Sequence, residues 1–278
     1  MKILKEQDNS LTSGISPEFF DELPLWSAPF GLRLLDQVEL AKDISVLDIG
    51  SGTGFPLIEL AMRLGNSCKI YGLDPWKEAV ERIRDKIRHY GISNVEIFEA
   101  VAESIPLDDH SIDLITSNNG INNVSDLDKT LSECARVIKK DGQFVFTMNL
   151  ENSMIEFYDI MQKTFVQINA IDAIQKMKEH IYSKRKPLDL IIQKLIKHGF
   201  SISSVIYHEF EYRFTDAATM FNHFFIRIAF LNSWKEIVPP EKQDEVFALI
   251  EAEINKIAEE NGYFTLSIPF VVIDSCGI

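Results

Sequence analysis

The spacing of apolar positions changes character along the chain and divides it into regions. Residues 28 to 40 carry Leu32, Leu35 and Val38 at helical spacing, which predicts an amphipathic helix. Ahead of it, Ser16-Pro17-Glu18 reads as a helix start, with Ser16 as N-cap and Pro17 in the first turn. Residues 44 to 49 form a short, nearly continuous apolar run, as expected of a strand buried on both faces. Strand-like and helix-like segments then alternate. A helix at 55 to 64 is followed by a strand at 69 to 73 and a helix at 77 to 90 closed by Gly91. Strands follow at 95 to 98 and 112 to 116, then a helix at 126 to 138 capped by Ser125. A turn at Lys140-Asp141-Gly142 leads into a strand at 143 to 148. This alternation predicts an α/β fold: a doubly wound, Rossmann-like, mostly parallel seven-stranded sheet with helices on both faces.

Beyond residue 151 the order changes. Helical patterning runs to His198 and ends at Gly199, followed by a strand at 200 to 210. An aromatic-rich helix at 215 to 234, a turn at Pro239-Pro240, a helix at 241 to 260 and a strand at 264 to 273 complete the pattern. No Gly/Ser-rich linker interrupts it, so one domain is expected. Its parts are an N-terminal helical segment (1 to 43) placed to act as a lid, a ligand-binding core (44 to 150), and a remainder (151 to 278) carrying helical cap insertions and the last two strands.

Composition narrows the function. The 278 residues are 46% apolar and 25% charged, with mean hydropathy near zero, as in ordinary globular proteins. A net charge of −14 argues against a nucleic-acid partner. The one dense basic run, Lys184-Arg185-Lys186, reads as a solvated helix end rather than a phosphate patch. Cys68, Cys134 and Cys276 follow no metal or disulfide spacing, and no metal site is expected. The first residues lack an apolar segment and no run approaches a membrane span, so a cytoplasmic protein without membrane attachment is expected.

The chemistry-bearing segment is Val46-Leu-Asp48-Ile-Gly50-Ser51-Gly52-Thr53-Gly54, where the first strand turns into the first helix. In open parallel sheets, ligands bind at such strand ends, and glycine lets the backbone approach them closely. The dinucleotide spacing G-x-G-x-x-G is not met, since its third glycine would fall at Phe55 or Leu57. A carboxylate at the strand end suits a ligand with an ammonium group better than a pyrophosphate. A second carboxylate, Asp74, ends the next strand 26 residues beyond Asp48, where it can accept hydrogen bonds from both ribose hydroxyls.

With these stretches, Ala102-Glu-Ser-Ile-Pro-Leu, Ser111-Ile-Asp-Leu-Ile and Ala135-Arg-Val-Ile-Lys-Lys-Asp-Gly142 fall in order over about a third of the chain. Residues 44 to 148 thereby resemble the core of class I S-adenosylmethionine-dependent methyltransferases, similar to the ubiquinone/menaquinone-biosynthesis and arsenite methyltransferase group. The resemblance implies S-adenosylmethionine as cofactor, S-adenosylhomocysteine as product, and residue roles. Gly50, Ser51, Gly52, Thr53 and Gly54 would pass under the amino-acid part, with Asp48 facing its ammonium side. Asp74 would bind the ribose, Trp76 or a neighbour would lie against the adenine, and Ala102 and Glu103 would border the adenine edge. Asn118 and Asn119 would line the methionine side. Many relatives have Asp where this chain has Val101, which leaves adenine recognition to backbone groups or Glu103.

Methyl transfer from a sulfonium needs alignment and dryness more than a catalytic side chain, and no catalytic residue stands out. His223 and, more weakly, Tyr158, His180 and His208 are candidate bases, each read more readily as a core residue. Trp26 and Phe30 in the lid segment, with Asn122 and Asn123 after the fourth strand, are candidates to line an acceptor site; the asparagines read equally as turn formers. Tyr212, Phe214, Phe221, Phe230 and Trp234 read either as a pocket roof or, by their helical spacing, as an internal packing face. A small-molecule acceptor is the expected partner, and an aromatic cap face is compatible with a homodimer. The alternatives are a non-catalytic protein that binds S-adenosylmethionine or S-adenosylhomocysteine, and a nicotinamide oxidoreductase.

Overall fold

A computed structural model describes residues 24 to 278 of the protein. The helix start expected at Ser16 lies outside the described residues. Among the described residues, no helix is long and apolar enough to cross a membrane.

Seven strands form one sheet: β1 (Ser45–Ile49), β2 (Lys69–Asp74), β3 (Val95–Glu99), β4 (Ile112–Asn118), β5 (Ile138–Asn149), β6 (Phe200–Phe214) and β7 (Phe264–Gly277), in the order β3-β2-β1-β4-β5-β7-β6. The pairs from β3 to β5 are parallel, whereas β7 runs antiparallel to β5. The helices are α1 (Pro24–Leu35), α2 (Leu57–Leu64), α3 (Lys77–Tyr90), α4 (Leu127–Val137), α5 (Ile155–Gln167), α6 (Ile171–Lys184), α7 (Leu188–Lys197), α8 (Ala217–Asn222), α9 (Phe224–Ile226), α10 (Asn232–Ile237) and α11 (Gln243–Asn261). The chain goes from β1 outward to β2 and β3, then returns to β4 on the other side of β1. That reversal opens a crevice at the carboxyl ends of β1 and β4.

The chain divides into two compact units. One holds the described residues up to Leu150, with Lys186–His208 and Phe270–Ile278; the other holds Glu151–Arg185 and Glu209–Pro269. In the first unit, Leu47, Ile49, Leu73, Ile115, Phe144 and Phe146 belong to one buried cluster. Phe144 lies 4.9 Å from Phe146 and 5.2 Å from Phe200, ring centre to ring centre. Asp128 on α4 accepts hydrogen bonds from Lys194, Lys197 and His198 at the end of α7, tying those helices together. In the second unit, Phe157 stacks on Trp234 at 3.9 Å, and Phe221 packs on both Phe157 and Phe247.

Several local expectations need correction. Helix α1 starts earlier than residue 28 and ends at Leu35, and Leu32 faces solvent while Phe30, Leu34 and Leu35 are buried. The N-cap of α4 is Asp126, not Ser125: the Asp126 Oδ1 accepts the Lys129 amide. Lys140-Asp141-Gly142 does not separate two elements: β5 runs through it as an irregularity, with Asp141 at φ +60°. The helix expected at 215 to 234 breaks at His223, which caps both α8 and α9, and Arg227–Leu231 forms a π-helical turn. The helical material between 151 and 198 is three helices, with Asn169 at φ +55° between the first two.

Phe144 is completely buried between strand and helix layers. Phe144→Ala is expected to cost about 3–5 kcal/mol, read from denaturant unfolding of the full chain; a loss below about 1 kcal/mol would show that the site collapses without a cavity.

Candidate functional site

Parallel pairing of β1 with both β2 and β4 brings three strand ends side by side, and a hydroxyl from each of two serines fixes the turns that follow. Ser51 Oγ donates to the Asp48 carbonyl at 2.9 Å and accepts the Leu73 amide at 3.1 Å. Ser117 Oγ donates to the Ile49 carbonyl at 2.9 Å and accepts the Ile121 amide at 3.0 Å. Between them the backbones of Gly50 and Gly120 touch. A Cβ on Gly50 would stand 2.6 Å from Gly120 Cα, and one on Gly120 would stand 2.4 Å from the Ile49 carbonyl oxygen. Gly50 also sits at φ +73°, a conformation L side chains rarely adopt.

Two carboxylates sit inside this frame. Asp74 Oδ2 accepts the Gly52 amide and Oδ1 the Trp76 amide, both at 2.8 Å, so one side chain joins the glycine loop to the start of α3. Burial raises its pKa, while those two amides pull it down. Asp48 is fully buried; its Oδ1 accepts from Thr116 Oγ1 at 2.8 Å, and its Oδ2 has no partner among the described residues. Burial pushes this carboxyl up to about 7, against the hydroxyls of Thr116 and Ser51 that favour the charged form; Asp74 adds a smaller upward push.

On the β4 side the amides form a chain. Thr147 Oγ1 donates to Asn118 Oδ1 and accepts the Asn119 amide. Asn118 Nδ2 reaches the Ser27 carbonyl of α1 at 3.0 Å. Asn122 donates to Asn119 Oδ1 and Asn123 to the Asn119 carbonyl, both at 3.0 Å. Asn119, at φ +59°, keeps a buried Nδ2 without a partner among the described residues.

Asp48, Gly50, Ser51, Gly52, Asp74 and Trp76 are thus joined by direct hydrogen bonds or chain continuity, and Asn118, Asn119, Asn122 and Asn123 form the facing group. Four candidates also make contacts within the protein. The Ser51 hydroxyl is used up inside the turn. Thr53 gives its carbonyl to Lys86 Nζ at 2.7 Å. Glu103 Oε1 accepts the amides of Ser125 and Asp126 at 2.7 and 2.9 Å, so it caps α4. Phe30 is fully buried, 4.4 Å from Phe270, as a core residue, whereas Trp26 stays partly exposed 5.6 Å from it. Ala102 is buried in the same cluster as Ile49 and Leu73, and Val101 is exposed.

The candidate bases do not form one group. His208 stacks near Phe270 in the first unit; in the second, His223 lies against Tyr212 and Phe214, while Tyr158 and His180 stand together. Burial lowers the pKa of all three histidines. Among the aromatics, Trp234 and Phe221 are buried packing residues. Thr116, Thr147 and Gly120 were not anticipated. Only strand register reveals Thr116, which pairs directly with Asp48; Gly120 sits among four asparagines, and no local spacing marks it as a contact of Gly50.

Comparison with known proteins follows the same lines. A family model described as a methyltransferase domain matches residues 40–269. A ubiquinone/menaquinone biosynthesis C-methyltransferase of Campylobacter jejuni is 38% identical over 111 residues, 38% of this chain and 45% of that protein. The chain spans about half the length of the curated relatives it matches. Among solved structures, the YcgJ protein of Bacillus subtilis superposes with a TM-score of 0.56 at 19% identity, covering 90% of this chain and 98% of that one. Geranyl diphosphate C-methyltransferase of Streptomyces coelicolor, solved with Mg2+, geranyl diphosphate and S-adenosyl-L-homocysteine, gives 0.55 at 16% identity, covering 95% and 84%. At these identities the structures establish the fold.

Because the folded Asp48 holds a proton that the unfolded carboxyl has lost between about pH 4 and about pH 7, stability falls as pH rises through that window. The loss is at most about 4 kcal/mol, and Asp48→Asn is expected to remove that component from a stability–pH profile measured by denaturant unfolding. Parallel profiles for the two proteins would show that Asp48 titrates normally.

Proposed function

The chain belongs to the methyltransferase-domain family, and from that premise we propose that it transfers the methyl group of S-adenosylmethionine to a small-molecule acceptor by in-line displacement. The observation that carries this reading is the bond from Asp74 to the Gly52 amide, which sets a carboxylate beside a glycine loop that has room above it. A Cβ on Gly52 would meet nothing within 4 Å. Each Asp74 oxygen accepts one amide and retains a lone pair, which suits two vicinal ribose hydroxyls. The unpartnered Oδ2 of Asp48 suits a cationic ligand.

S-adenosylmethionine supplies an activated methyl on a sulfonium when bound. The chain's own work is binding and orientation. Gly50, Gly52 and Gly54 carry the backbone under the amino-acid part, Asp48 supplies its counter-charge, Asp74 holds the ribose, and Trp76 offers an aromatic face to the adenine. Asn118 and Asn119 bound the methionine side, with Asn118 braced by Ser27. Glu103 is left to its capping role, so adenine selection falls to the backbone around exposed Val101 and buried Ala102. Alignment and exclusion of water carry the rate. Carbon acceptors of the quinol class are the first to test, because the curated relatives are named for ubiquinone and menaquinone C-methylation.

Asp74→Ala is expected to weaken S-adenosylmethionine and S-adenosylhomocysteine binding at least tenfold in calorimetric titration, since charge-assisted hydrogen bonds contribute about 1.5–3 kcal/mol each. Unchanged affinity would overturn the ribose assignment. Binding of NAD alone would favour the oxidoreductase, and cofactor binding without label transfer to any acceptor would favour the non-catalytic reading.

A further inference from the structure

Arg185 stands in the middle of Lys184-Arg185-Lys186, a run whose sequence predicts a solvated helix end. It is instead only 4% exposed, directly after α6. A guanidinium keeps its charge inside a protein, and a desolvated cation requires an anion or a set of acceptors. Among the described residues, no carboxylate makes an ion pair with Arg185. Among the described residues its one side-chain hydrogen bond runs from Nη1 to the Tyr158 hydroxyl at 3.5 Å, the long limit for such a bond, and its guanidinium lies 5.6 Å from the Tyr158 ring centre. The negative end of α6 offsets only part of the missing counter-charge.

The surroundings share the same deficiency. The Tyr158 hydroxyl also accepts Trp234 Nε1 at 3.1 Å, so both of its lone pairs are engaged and its own proton has no acceptor among the described residues. His180 lies 6.3 Å from Tyr158, ring centre to ring centre. Burial, then Arg185 and Lys184, push its pKa down to about 4, so at neutral pH it brings no charge. Donors therefore converge here without an acceptor. The nearby wall is aromatic: Phe157 and Phe230 stack on Trp234 at 3.9 and 5.7 Å.

We propose that Arg185 and Tyr158 form a binding site for the acidic group, carboxylate or phosphate, of a small molecule with an apolar body. Two parallel N–H bonds from the guanidinium fork and the Tyr158 O–H would satisfy acceptor-only oxygens. The proposal does not depend on methyl transfer, because every residue in it belongs to the unit formed by Glu151–Arg185 and Glu209–Pro269.

The test uses the full chain without cofactor, titrated with sodium benzoate, sodium acetate and inorganic phosphate, with chloride at matched ionic strength as control. Binding is read by calorimetry and by melting temperature. Benzoate is expected to bind saturably and raise the Tm, acetate more weakly because it lacks the apolar body; binding by phosphate alone would support the site and assign the phosphate class. Arg185→Met is expected to lose at least about tenfold in affinity, and Tyr158→Phe, which keeps the cation, roughly fivefold to tenfold. Arg185→Met is also expected to melt no lower than wild type without ligand, since it removes an unpaired buried charge. The proposal is overturned by the absence of any saturable effect beyond chloride, by equal binding in wild type and Arg185→Met, or by a much lower Tm of Arg185→Met. Unchanged affinity in Tyr158→Phe overturns it as well.

Discussion

The contact between Gly50 and Gly120 constrains the strand ends of the first unit. These residues follow the neighbouring strands β1 and β4, and their backbones meet with no space for a side chain on either. The approach is held from both sides by Ser51 and Ser117, whose hydroxyls each bond a carbonyl and an amide at a strand end. With the two turns fixed, the loop at 50 to 54 is carried toward β2, and Asp74 can reach the Gly52 amide. Moving either turn outward would separate the carboxylate from the loop it organises.

That geometry has an electrostatic cost, and the cost bears on function. Asp48 and Asp74 are buried close enough for Asp74 to raise the Asp48 pKa, in a chain already carrying a net charge of −14. Each is partly compensated, Asp48 chiefly by the Thr116 hydroxyl and Asp74 by two amides. The remainder favours a ligand that is positively charged near Asp48 and rich in hydroxyl donors near Asp74. Sites of this kind store strain and desolvation that a complementary ligand relieves.

The sheet and the two carboxylates were legible in the sequence because both rest on local signals: apolar period, strand-end position and glycine spacing. What was not legible depends on contacts far apart in sequence. Thr116 bonds Asp48 only because β1 and β4 pair in one register. Glu103 reads as a ligand contact beside Ala102, and the structure adds that its Oε1 accepts the amides of Ser125 and Asp126 at the start of α4. Leu32 follows the helical spacing but faces outward, because the buried stripe of α1 is set by Phe30 and Leu34. Arg185 lies in a basic run that by composition belongs to solvent, and its burial follows from the packing of Tyr158 and Trp234. The resemblance identified the methyl donor and left the acceptor to chemistry that no local motif encodes.

The most direct measurement is a crystal structure of the protein grown with S-adenosylhomocysteine. The account predicts the ribose hydroxyls within hydrogen-bond distance of the Asp74 carboxylate and the amino-acid part over residues 50 to 54, with its ammonium on the Asp48 side. A ligand bound away from the ends of β1 and β4, or a ribose that makes no contact with Asp74, would contradict it.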